Sequence, residues 1–143
     1  LVAQGTLRML DVGLWEEIGP LLHEVVADVV RPYGVTAAVD HIRGVPPVVN
    51  DSAAVAALGR ATMAAGLRPV PTPHSLGGED FAWMLHEAEG AMARLGTRTH
   101  GGRTFDLHQG DLVVDERALP NAVGLLVHLA LGAARDARQP ASR

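Results

Sequence analysis

Apolar positions along this chain change period several times, and each change marks an element. Gly5-Thr6-Leu7-Arg8-Met9-Leu10 alternates as a short strand, and Asp11 follows as the N-cap of a helix. From Leu14 to Val30 the residues Leu14, Ile18, Leu21, Leu22, Val25, Val26 and Val29 recur at helical spacing. Gly19-Pro20 falls early in that run and predicts either a kink or a later true start. Tyr33-Gly34 closes the helix, and Val35 to Ile42 alternates as a second strand. Val45-Pro46-Pro47-Val48-Val49 is then a rigid, extended exit. The pattern to this point is β-α-β.

Asn50-Asp51-Ser52 caps a second helix over about 52–65, rich in Ala, with Val55, Leu58 and Met63; Gly66 ends it. Pro69, Pro71 and Pro73 punctuate a short strand and a loop. Ser75-Leu76-Gly77-Gly78 leads into a short helix over Glu79 to His86, and Ala91 to Gly96 reads as a buried strand. Residues 98–110 form a Gly-rich polar loop. The longest helix runs from Glu116 to Ala134, with Leu119, Val123, Leu126, Leu129 and Ala130 on one face. Ala137 to Arg143 reads as a frayed end. The natural boundary falls between Val49 and Asn50, giving segments 1–49 and 50–143.

Composition narrows the function classes. The 143 residues suit one average domain or parts of two, and an apolar share of 48% is ample for a core. A net charge of −4 without a Lys/Arg cluster argues against a nucleic-acid surface. No uninterrupted run of 18 apolar residues exists, so no membrane span is expected. Cysteine is absent, so any metal must rely on imidazole and carboxylate. No signal peptide is visible ahead of the first strand, which makes a cytoplasmic location the expectation.

His108 leads the candidates for chemistry. It stands on a loop in Asp106-Leu107-His108-Gln109-Gly110-Asp111, ahead of Asp115-Glu116 at the start of an apolar helix. A neutral imidazole there could ligate a metal, with Asp106 or Asp111 orienting its other ring nitrogen. From the residues alone, a solvated surface histidine is the commoner case. Gly77-Gly78-Glu79-Asp80 offers backbone N–H groups at a helix start, suited to a carboxylate or carbonyl oxygen, or is simply a Gly-rich turn with acidic neighbours. Glu79 could serve as a general base in a water-poor cleft. Arg8 could receive a carboxylate through its planar fork, or be an exposed structural arginine. His23, His41, His74, His86, His100 and His128 form no close metal-ligand pair, and His128 reads as a core or interface residue. The chain lacks G-x-S-x-G, a P-loop and a cysteine nucleophile.

Five of these pieces, in order, resemble the M20 family of metallopeptidases and amidohydrolases, in its branch acting on N-acyl amino acids and hippurate. Gly5-Thr6-Leu7-Arg8 is similar to the family's G-T-[VL]-R segment, and Pro46-Pro47-Val48-Val49-Asn50-Asp51 to its P-P-V-x-N-D. Ser75-Leu76-Gly77-Gly78-Glu79-Asp80-Phe81-Ala82 resembles S-M-G-S-E-D-F-A, and Leu95-Gly96-Thr97 resembles L-G-T. Leu107-His108 with Asp115-Glu116-Ala118-Leu119-Pro120 is similar to L-H-x-x-x-F-x-x-D-E-x-A-L-P.

The resemblance implies an α/β architecture: a partial ferredoxin-like α+β lid (β-α-β) over 1–49, used for dimerisation, then the C-terminal part of an α/β zinc-peptidase-like catalytic domain over 50–143. It implies two divalent metals (zinc, manganese or similar) per intact site and a metal-activated water that cleaves the amide of an N-acyl amino acid. His108 matches the family's last metal ligand. Gly77, Gly78, Glu79 and Asp80 match a substrate-lining loop, and Arg8 matches a lid position. A homo-oligomer formed through the lid is expected, with no nucleic-acid or membrane partner. The family's H-x-C-G-H-D segment, its Glu-Glu pair and its next metal histidine are not in this sequence, so the expectation is a fragment without activity of its own. Leu112 stands where an aromatic is usual, and Gly78 where serine is. The rival readings are a non-catalytic α+β dimerisation or ligand-binding module, and an M20 carboxypeptidase or dipeptidase.

Overall fold

The computed structural model describes residues 1–138; the rest of the tail read as frayed lies outside the described residues. Among the described residues there are four helices, α1 (Val12–Val30), α2 (Ser52–Ala64), α3 (Phe81–Glu87) and α4 (Ala118–Asp136), with a 3-10 turn at Arg31–Tyr33. They divide into two compact units. The first joins Leu1–Val49 with His74–Glu89; the second joins Asn50–Pro73 with the chain from Gly90 on.

In the first unit Asp11 caps α1 as expected, its Oδ1 accepting the Leu14 N–H at 2.7 Å. The helix starts ahead of Gly19-Pro20 and runs through it. Pro20 has no N–H to give the Glu16 carbonyl one turn back. Arg43 supplies the missing donor, its Nη2 lying 2.9 Å from that oxygen. The same guanidinium lies 4.9 Å from the Trp15 ring centroid, a cation–π contact. Trp15 is buried and meets Trp83 of α3 edge-on at 5.8 Å between centroids. His23 places one ring nitrogen 2.8 Å from the Gly19 carbonyl and the other 3.2 Å from that of Val39, which ties 35–42 to the helix.

The second unit is built on α2 against α4. Asp51 Oδ1 caps α2 by accepting the Ala54 N–H at 2.7 Å. At the other end Gly66 adopts φ +72, so that Leu67 N–H reaches the Thr62 carbonyl and Gly66 N–H that of Met63. This is a Schellman ending, which favours glycine at the left-handed position. Asn50 grips Met92 from both sides, its amide donating to the Met92 carbonyl and its Oδ1 accepting the Met92 N–H. Asp51 N–H adds a bond to Gly90 O at 2.8 Å.

The face of α4 turned inward includes Leu129 as expected but otherwise differs by one position from the sequence reading. Ala118 is buried and Ala122, Leu125 and Leu129 are half-buried, whereas Leu119, Val123 and Leu126 are 64%, 60% and 62% exposed. The reason is the partner. Ala-rich α2 invites small residues, and a Cβ placed on Gly124 would come within 3.9 Å of the Ala65 methyl. By length and composition α4 is apolar enough to cross a membrane. Counting only uninterrupted runs missed this, because Asn121 and His128 break the apolar sequence.

The expected strands are absent, which corrects the fold class. Among the described residues there is no β-strand, so neither a ferredoxin-like β-α-β lid nor an α/β sheet is present. Residues 5–10, 35–42 and 91–96 form no ladder, and Leu7 and Val35 remain 51% and 55% exposed. Alternation favours a strand only when neighbouring strands cover one face and pair with the backbone. Here isolated bonds, such as Asp115 N–H to Thr97 O at 2.7 Å, take the place of a ladder.

Asp115 also organises the start of α4. Its carbonyl accepts the Ala118 N–H at 2.9 Å, its carboxylate accepts the Arg117 N–H at 3.0 Å, and the Arg117 guanidinium grips both oxygens. The side-chain bond from Arg117, then its backbone bond, holds the Asp115 carboxyl at about 2, against an ordinary 3.8.

Two outcomes are expected. Arg43→Ala should destabilise the first unit by about 1 kcal/mol in urea unfolding, by removing a donor from an exposed carbonyl. Its cost should shrink in a Pro20→Ala background, where the main-chain N–H regained at position 20 can serve Glu16; equal costs in both backgrounds would contradict the coupling. For Asp115, a folded value below the unfolded one means that the stabilisation is full above about 3.8 and is lost as pH falls through about 2. An NMR titration of its carboxyl should show that low midpoint, moving up toward the ordinary value in Arg117→Gln.

Candidate functional site

The residues singled out from sequence fall in different units. Arg8 and the 77–80 loop belong to the first, His108 to the second. Within the first unit Arg8 does meet the loop, but through its main chain: Arg8 Nη1 donates to the Leu76 carbonyl at 2.8 Å. Gly77 N–H is held by the Ser75 hydroxyl at 3.1 Å. Gly78 packs so closely on Val45 that a Cβ would lie 2.7 Å from a Val45 methyl, which explains why this chain has glycine where the resembling motif has serine. Glu79 and Asp80 give their carbonyls to Ala82 and Trp83 N–H at 3.0 and 3.1 Å, opening α3. Two donors of that helix start are therefore already engaged within the turn.

In the second unit His108 is exposed and has φ +63, the left-handed region that a side chain other than glycine rarely adopts. Asp111, a candidate to orient its ring, is instead paired with Arg103 at 3.2 Å. Arg103 also lies 4.7 Å from the Phe105 ring centroid. Among the described residues no three His, Asp or Glu side chains are placed to hold a metal ion. His108 offers one ligand, and the described residues by themselves do not complete a metal site.

One arrangement in the second unit went unnoticed in the sequence. Gly96, Arg98, His100, Asp115, Arg117, Ala118 and Asn121 line an open cavity of about 340 Å³. His100 sits inside a tight turn closed by Gly102 N–H to Thr99 O at 2.9 Å, with Gly101 at φ +71. Arg98 reaches across that turn to the Thr104 hydroxyl at 3.0 Å. The signal was there in Thr97-Arg98-Thr99-His100-Gly101-Gly102, but a separation of eight positions between His100 and His108 suggests no shared ligand and draws attention to His108 alone.

Comparison with known proteins gives this geometry its context. Residues 4–132 match the Peptidase family M20/M25/M40. A Rhodococcus jostii protein bearing a glutamate–cysteine ligase name is 41% identical over 127 residues, covering 87% of this chain and 16% of that protein. A Synechocystis protein named as a hydrolase is 37% identical over 132 residues, 88% of this chain and 33% of that one. An N-acetyldiaminopimelate deacetylase of Exiguobacterium sibiricum is 28% identical over 124 residues, 87% of this chain and 32% of the enzyme. The chain thus spans between about a sixth and a third of the length of these curated relatives. No solved structure matches it significantly. With the match running through almost all of its described residues, the chain belongs to the M20/M25/M40 peptidase family.

Proposed function

We propose that this chain is part of an amidohydrolase that cleaves the amide bond of N-acyl amino acids, and that on its own it has no hydrolase activity. The observation that carries the reading is the family match over residues 4–132, joined by a relative named for removing the acetyl group of an N-acetylated amino acid. The ligase name of the Rhodococcus protein belongs to a chain of which the shared segment is 16%, and the reading does not extend to ligation.

His108 is the residue of this chain suited to contribute a metal ligand. Held in the intact enzyme with His108 as one ligand, a divalent metal would supply Lewis-acid chemistry toward an amide. A left-handed backbone costs an L-residue about 1–2 kcal/mol, and glycine would avoid that cost. Keeping an imidazole there fits a ring needed for its chemistry. No step of hydrolysis is assigned to the chain alone, since its described residues provide no complete ligand set.

The isolated chain, supplied with zinc or manganese, should give no turnover of N-acetyl amino acids; measurable hydrolysis would refute its inactivity. Substitution of residues 4–132 for the matching part of the Synechocystis protein should yield a metal-loaded chimera that hydrolyses an N-acyl amino acid. In that chimera His108→Ala should lower both metal content and kcat/KM, the latter by more than about a hundredfold. A folded, metal-loaded chimera inert toward every N-acyl amino acid would remove the amidohydrolase reading. In the isolated chain, His108→Gly should be more stable than His108→Ala by about 1 kcal/mol in thermal unfolding, because only glycine relieves the left-handed backbone.

A further inference from the structure

The cavity of the second unit is lined by polar side chains, of which Arg98, Asp115 and Arg117 are hydrogen-bonded. Asp115 is its one acidic side chain, and both oxygens of that carboxylate are taken by Arg117. Their charges offset each other. Arg98 has no carboxylate partner among the described residues, so the cavity retains one uncompensated guanidinium charge. The bond to Thr104 occupies one Arg98 nitrogen and orients the group, leaving other N–H donors for a ligand. His100 is presented by the turn at 99–102, and Asn121 adds an amide to the lining. Gly96 leaves room, since a Cβ there would meet nothing within 4 Å.

We propose that this cavity binds a small molecule through a single carboxylate, received by Arg98 with His100 and Asn121 as neighbouring polar groups, and that the molecule is of the acylated amino-acid class. An arginine fork matches a planar carboxylate in two parallel bonds. One net positive charge suits a monoanion better than a doubly charged phosphate. A volume of about 340 Å³ is at the small end of ligand pockets and accommodates a molecule of amino-acid size. Naming an acylated amino acid rests on the amidohydrolase reading; the carboxylate site itself does not.

The test is an NMR titration of the full, isotope-labelled chain with N-acetyl-L-alanine, with its uncharged amide and with inorganic phosphate. N-acetyl-L-alanine should shift Gly96, Arg98, His100 and Asn121 resonances saturably, and the amide should bind at least tenfold more weakly. Arg98→Gln and Gly96→Leu should each weaken binding at least tenfold, whereas Arg60→Gln, in the same unit but outside the cavity lining, should leave it unchanged. Gly96→Leu grows into open space, so it obstructs the cavity without a clash with the fold. Equal binding of acid and amide, wild-type affinity in Arg98→Gln, saturation by phosphate alone, or no saturable shift would each overturn the proposal. Carboxylate binding at this cavity together with an inert chimera would remove the amidohydrolase reading and leave the site standing.

Discussion

Main-chain N–H and C=O groups need partners wherever they leave water, and sheets usually provide them. In this chain side chains do much of that work. Arg43 replaces the donor that Pro20 lacks, Arg8 takes the Leu76 carbonyl, His23 bridges the Gly19 and Val39 carbonyls, and Asn50 imitates a strand partner for Met92. Apart from the His23–Gly19 bond, which lies within α1, each of these bonds joins an extended segment to another part of the same unit. The starts of α1 and α2 are fixed by their own caps, Asp11 and Asp51. The course of the segments between the helices depends on these few side chains.

Helices were legible because their signals are local. Asp11, Asp51 and Gly66 act at the ends where capping chemistry places them, and the runs of apolar residues identify α1, α2 and α4. Strands were not legible in the same sense. Alternation at 5–10 and 35–42 says which faces a strand would present, but a ladder needs a second backbone at the right distance. Among the described residues that partner is lacking. The one-position error in the inward face of α4 has a similar origin: a count of large apolar residues picks Leu119, Val123 and Leu126, while close approach to an alanine-rich helix selects Ala118, Ala122 and Leu125.

The candidate sites divide along the same line. Family membership was legible from five ordered motifs, and the match over residues 4–132 agrees with it. What the individual residues touch was not. Asn50 and Asp51 of the P-P-V-x-N-D motif pin Met92 and Gly90 and cap α2, and Arg8 holds a loop carbonyl. The Arg98–Thr104 and Arg117–Asp115 pairs join residues six and two positions apart, yet they matter because folding sets them around one cavity. Spacing alone carries no trace of that.

The edge-on pair Trp15 and Trp83 has an optical consequence. These are the two tryptophans of the chain, and both they and its one tyrosine, Tyr33, fall in the first unit. Near-ultraviolet absorption and intrinsic emission therefore arise almost wholly from that unit. The α2–α4 pair is spectroscopically dark in that range and shows itself in the peptide region of circular dichroism. The first unit thus carries an aromatic reporter of its own without any label, while the peptide region reports on the helices of both units.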